Sequence, residues 1–257
     1  MSEHVLVERE EGLLTLRLHR LDKKNALTRA MYSRMAEVLE QADNDPSVRV
    51  VLITGGDECF TSGNDIADFL QEPPTGMDSP VFFFMRALFE MKKPVVAAVA
   101  GSAVGIGTTL LLHCDLVYVA HDAKLKMPFV ALGLCPEYGS SQILPQMLGH
   151  AKAAELLLLG ETFSGEQAAA WGIANQALES GAATLAKAKE MAKRFLHLPP
   201  KAIADSKELM RGPGREQLRK VIAEEGALFN QRLRSPEAIE ALSAFMQRRK
   251  PDFSKFA

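Results

Sequence analysis

Apolar and polar positions alternate over His4–Glu8 and again over Leu14–His19, on either side of Glu11-Gly12. A two-residue period puts every second side chain on one face, so the chain is expected to open with a β-hairpin that has one solvated face. After the polar break Arg20–Asn25 the period lengthens. Leu27, Met31, Met35, Val38 and Leu39 share a stripe at helical spacing, which predicts an amphipathic helix over Leu27–Ala42. Val48–Thr54, Pro94–Ala100 and Leu116–Ala120 are nearly continuous apolar runs, and runs without alternation predict strands buried on both faces. Helical stretches lie between them: Ile66–Leu70, a segment carrying Phe82-Phe83-Phe84, Met85, Leu88 and Phe89, and Thr108–His113. Strands alternating with helices in this order predict an α/β domain with parallel pairing.

From about Ser141 onward the pattern is almost entirely helical, with Ser164-Gly165-Glu166-Gln167 opening one helix through an N-cap serine. Pro199-Pro200 is the clearest break, and it divides an expected core over residues 1–198 from a smaller helical region over 199–257. Gln71–Pro80, rich in Pro, Gly and Asp, is read as a mobile insertion.

At 257 residues the chain can bury a substantial core without staples. Its 30 basic and 32 acidic residues nearly cancel, which argues against nucleic acid or an anionic membrane as a partner and requires any ligand phosphate to be met locally. Cys59, Cys114 and Cys135 are odd in number and widely spaced, unlike a disulfide framework or a zinc site, so a reducing, cytoplasmic setting is expected. The first residues are acidic and strand-like rather than a signal or transit peptide, and the final Ser254-Lys255-Phe256-Ala257 is not a Ser-Lys-Leu address. No apolar run reaches the roughly 18 to 20 residues a membrane span needs.

Three segments carry candidate chemistry. Gly101–Thr108 follows a buried strand and opens a helix, so unpaired N–H groups could hold negative charge there. Its glycines fit neither a dinucleotide fingerprint nor a P-loop, and tight helix–strand packing explains them as well. Phe60-Thr61-Ser62-Gly63-Asn64-Asp65 follows a neighbouring strand in the same way, and two such loops could aim N–H groups at one carbonyl oxygen. Asp65 alone reads as the N-cap of Ile66–Leu70. In the third segment, Met127–Ser141, Glu137 stands among apolar and small residues. By its residues alone it is either an exposed loop glutamate or a desolvated base.

The blocks Lys24-Asn25-Ala26-Leu27, Phe60–Ile66, Lys93–Gly101, Cys114–Tyr118, Gly160–Ala168 and Arg249–Phe253 resemble, in order, the signatures of the crotonase (enoyl-CoA hydratase/isomerase) superfamily. That resemblance implies an α/β, crotonase-like spiral of repeated ββα units with a C-terminal helical region that makes a homotrimer or a dimer of trimers. It implies an acyl-CoA thioester ligand, so that coenzyme A enters with the substrate and no metal or redox cofactor is required. The thioester oxygen would sit between the N–H groups of Asn64 and Ile106, the latter standing where relatives usually have glycine.

Hydratases of the family use two glutamates, and Thr109 and Phe129 occupy those positions here. Phe129 to Ser141 instead resembles the peroxisomal type of 3,2-trans-enoyl-CoA isomerase, in which one glutamate, at the position of Glu137, shuttles the proton. The same resemblance assigns Ser62, Gly63, Asp65, Ile66, Gly105, Phe129 and Leu132 to substrate binding. Lys24 (or Lys23), Lys250 and Phe253 are expected near coenzyme A, although each lysine also reads as a solvated surface residue. Ala100-Gly101 departs from the Asn-Gly of many relatives, which removes an expected polar contact near the base. Phe82–Phe84, Met85, Leu88 and Phe89 suit either an acyl tunnel or plain core packing.

Overall fold

The computed structural model describes residues 3–71, 76 and 78–256. Half of the expected insertion Gln71–Pro80, residues 72–75 and 77, lies outside the described residues. The opening hairpin is β1 (Val5–Glu10) paired antiparallel with β2 (Leu13–Leu18). Helix α1 (Arg29–Asn44) follows, starting two residues later than the apolar stripe because Thr28 caps it, its side chain accepting from the Met31 N–H. Then come β3 (Val50–Thr54), α2 (Ile66–Gln71), α3 (Pro80–Glu90), β4 (Val95–Val99), β5 (Ser102–Val104) and α4 (Ile106–Thr109). The next elements are β6 (Leu116–Ala120), β7 (Lys124–Lys126), α5 (Ser140–Leu148), α6 (His150–Ala154), β8 (Phe163–Ser164), α7 (Gly165–Ala170) and β9 (Gln176–Leu178). Three helices close the chain: α8 (Gly181–Arg194), α9 (Pro200–Arg232) and α10 (Pro236–Met246).

One sheet runs β1-β2-β3-β4-β6-β9, parallel from β2 onward. β3 and β4 are buried at every position, because both faces of the sheet are covered. Val50, Leu52, Val96 and Ala98 face one way and pack with Ala188 and Ala192 of α8. Val51, Ile53, Val95 and Ala97 face the other way, into the core that also holds the apolar sides of α1 and α3.

A second, smaller layer holds β5-β7-β8, extended by parallel bridges between Thr61 and Ala103 and between Leu27 and Asn64. Each long strand therefore feeds a short one: β2 leads to Leu27, β3 to Thr61–Asn64, β4 to β5 and β6 to β7. This is the ββα spiral the resemblance implies. Only its long strands are legible in the hydropathy pattern. Gly101–Thr108 is not one loop opening a helix over Thr108–His113: Ser102–Val104 is a strand, and the helix stops at Thr109, continuing as a tight 3-10 turn over Leu110–His113. The C-terminal half is likewise not wholly helical, since it contributes β8 and β9.

α9 is long and carries Gly212-Pro213-Gly214 near its middle. Its first half docks on the sheet through Lys207 and Arg211, which bond the two oxygens of Asp115 at 2.7 and 2.8 Å. Among the described residues, no helix is long and apolar enough to cross a membrane.

Candidate active site

The two glycine loops meet where the spiral layers adjoin. Asn25, fully buried, bonds the Cys59 and Phe60 carbonyls through Nδ2 and takes the Arg20 N–H on Oδ1, so the loop after β3 is tied to the segment after β2. Gly63 has φ +89°, and a Cβ there would stand 2.8 Å from the Val104 carbonyl oxygen. Gly105 (φ 57°, ψ −119°) lies in a backbone region open essentially to glycine. Each glycine turns the peptide that carries the following N–H, of Asn64 and of Ile106. Among the described residues neither N–H donates to a protein acceptor. Ile106 begins α4 and has helical backbone, which accommodates its branched side chain.

Both loops open into a cavity of about 880 Å³. It is lined by Ser62, Gly63, Asn64, Asp65, Ile66, Gly105, Ile106, Phe129, Leu132 and Glu137, all of them sequence candidates. Lys24, Lys250 and Phe253 are not brought to it. Lys24 takes a left-handed backbone and points outward, while its carbonyl accepts from the Ser62 N–H; Lys250 and Phe253 follow α10 on the exposed surface. The cations lining the cavity are Arg20, Lys23 and Lys126. Asp65 caps α2, as expected, accepting from the Ala67 and Asp68 N–H groups, and it pairs with Arg20 at 2.7 Å.

Glu137 is 6% exposed, which removes the exposed-loop alternative. Burial, reinforced by the negative charge of Glu225, pushes its carboxyl up to about 8, with the Thr109 hydroxyl pulling the other way. Glu137 Oε1 and Thr109 Oγ1 are nonetheless both buried without a hydrogen-bond partner. The turn behind Glu137 is held from several sides. Tyr138 sits at φ 59°, unusual for an aromatic residue, with its hydroxyl on the Met85 carbonyl at 2.7 Å and its ring stacked on His113 at 3.7 Å. Burial pushes His113 down to about 3, so it is neutral, and its Nε2–H donates to the Tyr138 carbonyl. Glu225 of α9 accepts from the Gly139 and Ser141 N–H groups.

On another side of Glu137 a small void of about 20 Å³ lies against Phe82 and Met85 of α3 and Ile222, Gly226 and Asn230 of α9. Phe84 and Leu88 pack in the core instead, so the aromatic stretch divides between lining and packing. Tyr32 of α1 donates to the Asn64 side-chain oxygen at 2.5 Å, and burial keeps its phenol protonated. Tyr32, Glu225, Arg20 and Phe229 were not found from sequence. Each is remote in the chain from the loops it serves, and no local pattern marks it.

The sequence profile of the enoyl-CoA hydratase/isomerase family matches residues 8–255. The chain is 34% identical to the 1,2-epoxyphenylacetyl-CoA isomerase of Escherichia coli K12, over 99% of each chain. It is 33% identical to human enoyl-CoA delta isomerase 2, over 96% of this chain and 64% of that one. It is also 32% identical to the 2,3-dehydroadipyl-CoA hydratase of E. coli K12, over 98% of this chain and 99% of the relative. A solved structure of Pseudomonas aeruginosa OdaA superposes with a TM-score of 0.95 at 72% identity, covering 96% of this chain and 100% of that one.

Proposed function

The chain belongs to the enoyl-CoA hydratase/isomerase family, and from that premise we propose that it is a 3,2-trans-enoyl-CoA isomerase working with a single glutamate. One observation carries the reading. Among the described residues, the carboxylates lining the main cavity are Glu137 and Asp65, and Asp65 is occupied by Arg20 and by the start of α2. Water addition needs a base and a separate acid, and Thr109 and Phe129 supply neither. Moving a double bond needs one group that takes a proton and gives it back.

In this reading Glu137 removes a C2 proton from a 3-enoyl-CoA, leaving a dienolate whose oxygen accepts from the Asn64 and Ile106 N–H groups. The protonated Glu137 then delivers the proton to C4, and the double bond closes between C2 and C3. Mass and charge balance with no further reactant. Arg20, Lys23 and Lys126 at the cavity wall suit the phosphates of coenzyme A, and the apolar wall of Phe129, Leu132, Leu134 and Phe229 suits the acyl chain. Exposed Leu158, Leu159, Leu209 and Met210 suit burial in a homotrimer or a dimer of trimers.

The test is conversion of 3-hexenoyl-CoA to 2-hexenoyl-CoA by the wild type and by Glu137→Gln, with crotonyl-CoA hydration run in parallel. The variant should lose roughly 10²- to 10⁴-fold in kcat. Wild-type kcat/KM should rise with pH and level off above about 8, because the base must be ionised. Hydration that matches isomerisation and falls with it in the variant would point to a hydratase; thioester binding without exchange of the C2 proton would point to a carrier.

A further inference from the structure

The turn that presents Glu137 has no regular ladder to hold it. Tyr138 and Gly139 are consecutive left-handed residues at φ 59° and 76°, a geometry that persists only where the surroundings over-determine it. Ser140 closes the near side, bonding the Glu137 carbonyl through its N–H and its hydroxyl. The far side is closed from another part of the molecule. Glu225, on α9 and 8% exposed, places one carboxylate oxygen 2.5 Å from the Gly139 nitrogen and the other 3.0 Å from that of Ser141. Both donors are N–H groups at the start of α5 that have no acceptor within the helix, where a negative charge is favoured.

We propose that Glu225 is a positioning residue for the proton shuttle, its carboxylate clamping the turn that carries Glu137 while holding a negative charge beside it. The proposal rests on the reading of Glu137 as the acid–base group. Both oxygens of Glu225 are committed to backbone donors, so it does not itself exchange protons with substrate. Burial raises the Glu225 carboxyl too, but its bonds from Ser141 and Gly139 pull the other way and favour the carboxylate, whose charge disfavours ionisation of Glu137.

Among the described residues, the other titratable groups around Glu137 are Tyr32 from α1 and Cys135 and Tyr138 from its own loop. Burial raises all three, so they are neutral near pH 7, as is His113 behind Tyr138. The cations Arg211 and Arg232 act on Tyr138 and Cys135 and are paired with Asp115 and Glu237. Glu225 is thus the charged group that tunes the base.

Two variants separate its two duties. Glu225→Gln keeps the size, loses the charge and can accept only one of the two N–H groups. Glu225→Asp keeps the charge on a shorter arm. In protein labelled with ¹³C at the glutamate carboxyls, the Glu137 resonance, identified by its loss in Glu137→Gln, is titrated in each variant alongside kcat and KM.

Glu225→Gln should lower the Glu137 midpoint by roughly one pH unit and carry the acidic limb of kcat/KM with it. Its kcat should fall on the order of tenfold with KM changed less than about twofold. Glu225→Asp should lose kcat while the midpoint stays near its wild-type position. An unchanged midpoint in folded Glu225→Gln overturns the proposal, as does equal loss of kcat and thioester binding in Glu225→Asp. If Glu225→Gln does not fold, Glu225→Asp decides through the split between kcat and KM. A wild type that does not isomerise any 3-enoyl-CoA refutes the isomerase reading, and the carboxyl titration still decides Glu225.

Discussion

A carboxylic acid that keeps its proton up to about pH 8 makes the folded state weaker wherever it must ionise. Glu137 titrates near 4.5 when unfolded and near 8 when folded. Between those values the folded chain binds more protons than the unfolded chain, so stability falls as pH rises through that window. It is fully present below the unfolded value. Glutamine has the same shape and no proton to lose. Glu137→Gln should therefore match the wild type in urea unfolding near about pH 4 and exceed it above about pH 8, by an upper bound of about 1.4 kcal/mol for each pH unit of the window. A variant that is no more stable at the alkaline end would show that water reaches the site.

At this scale the sequence supported two readings of Glu137. Its own neighbours fit an exposed loop as well as a base, and the residues that bury it, Ile222 and Phe229 among them, lie far along the chain on α9. Only the family resemblance favoured the base. Asn64 and Ile106 were named in the same way, since a backbone N–H leaves no mark in the identity of its own residue.

The elements legible from hydropathy were those with enough residues to show a period. β1 to β4, β6, α1 and α3 are of this kind. β5, β7 and β8 are two or three residues long, too short for alternation to register, yet they position both glycine loops. The docking of α9 was also invisible, because it depends on one buried polar cluster. Asp115 takes the Val95 N–H at 2.8 Å besides Lys207 and Arg211, and Lys207 also reaches the Lys93 carbonyl. Asp115→Ala would leave the Lys207 ammonium buried beside a lost partner. The variant should lose about 3–5 kcal/mol, read from the shift of the denaturant midpoint at constant m-value.

For the whole molecule, the spiral and its C-terminal helices follow the family resemblance, and the size of the particle is the next quantity to measure. Sedimentation equilibrium should give three or six times the chain mass of 28.1 kDa, if the exposed leucines and methionines of the helical surface are covered by further copies. A particle of one chain mass would exclude that arrangement. The first half of α9 is fastened to the sheet and its second half forms a wall beside Glu137. Pro213 has no N–H to offer the Leu209 carbonyl, and a glycine stands on each side of it. Amide exchange should therefore divide this helix at Pro213. Protons of the first half should exchange only when the sheet opens, whereas those of the second half should exchange sooner and slow down when a thioester occupies the cavity. One continuous rod of secondary structure then behaves as two cooperative units, and the energy needed to open the wall is separate from the energy that keeps the chain folded.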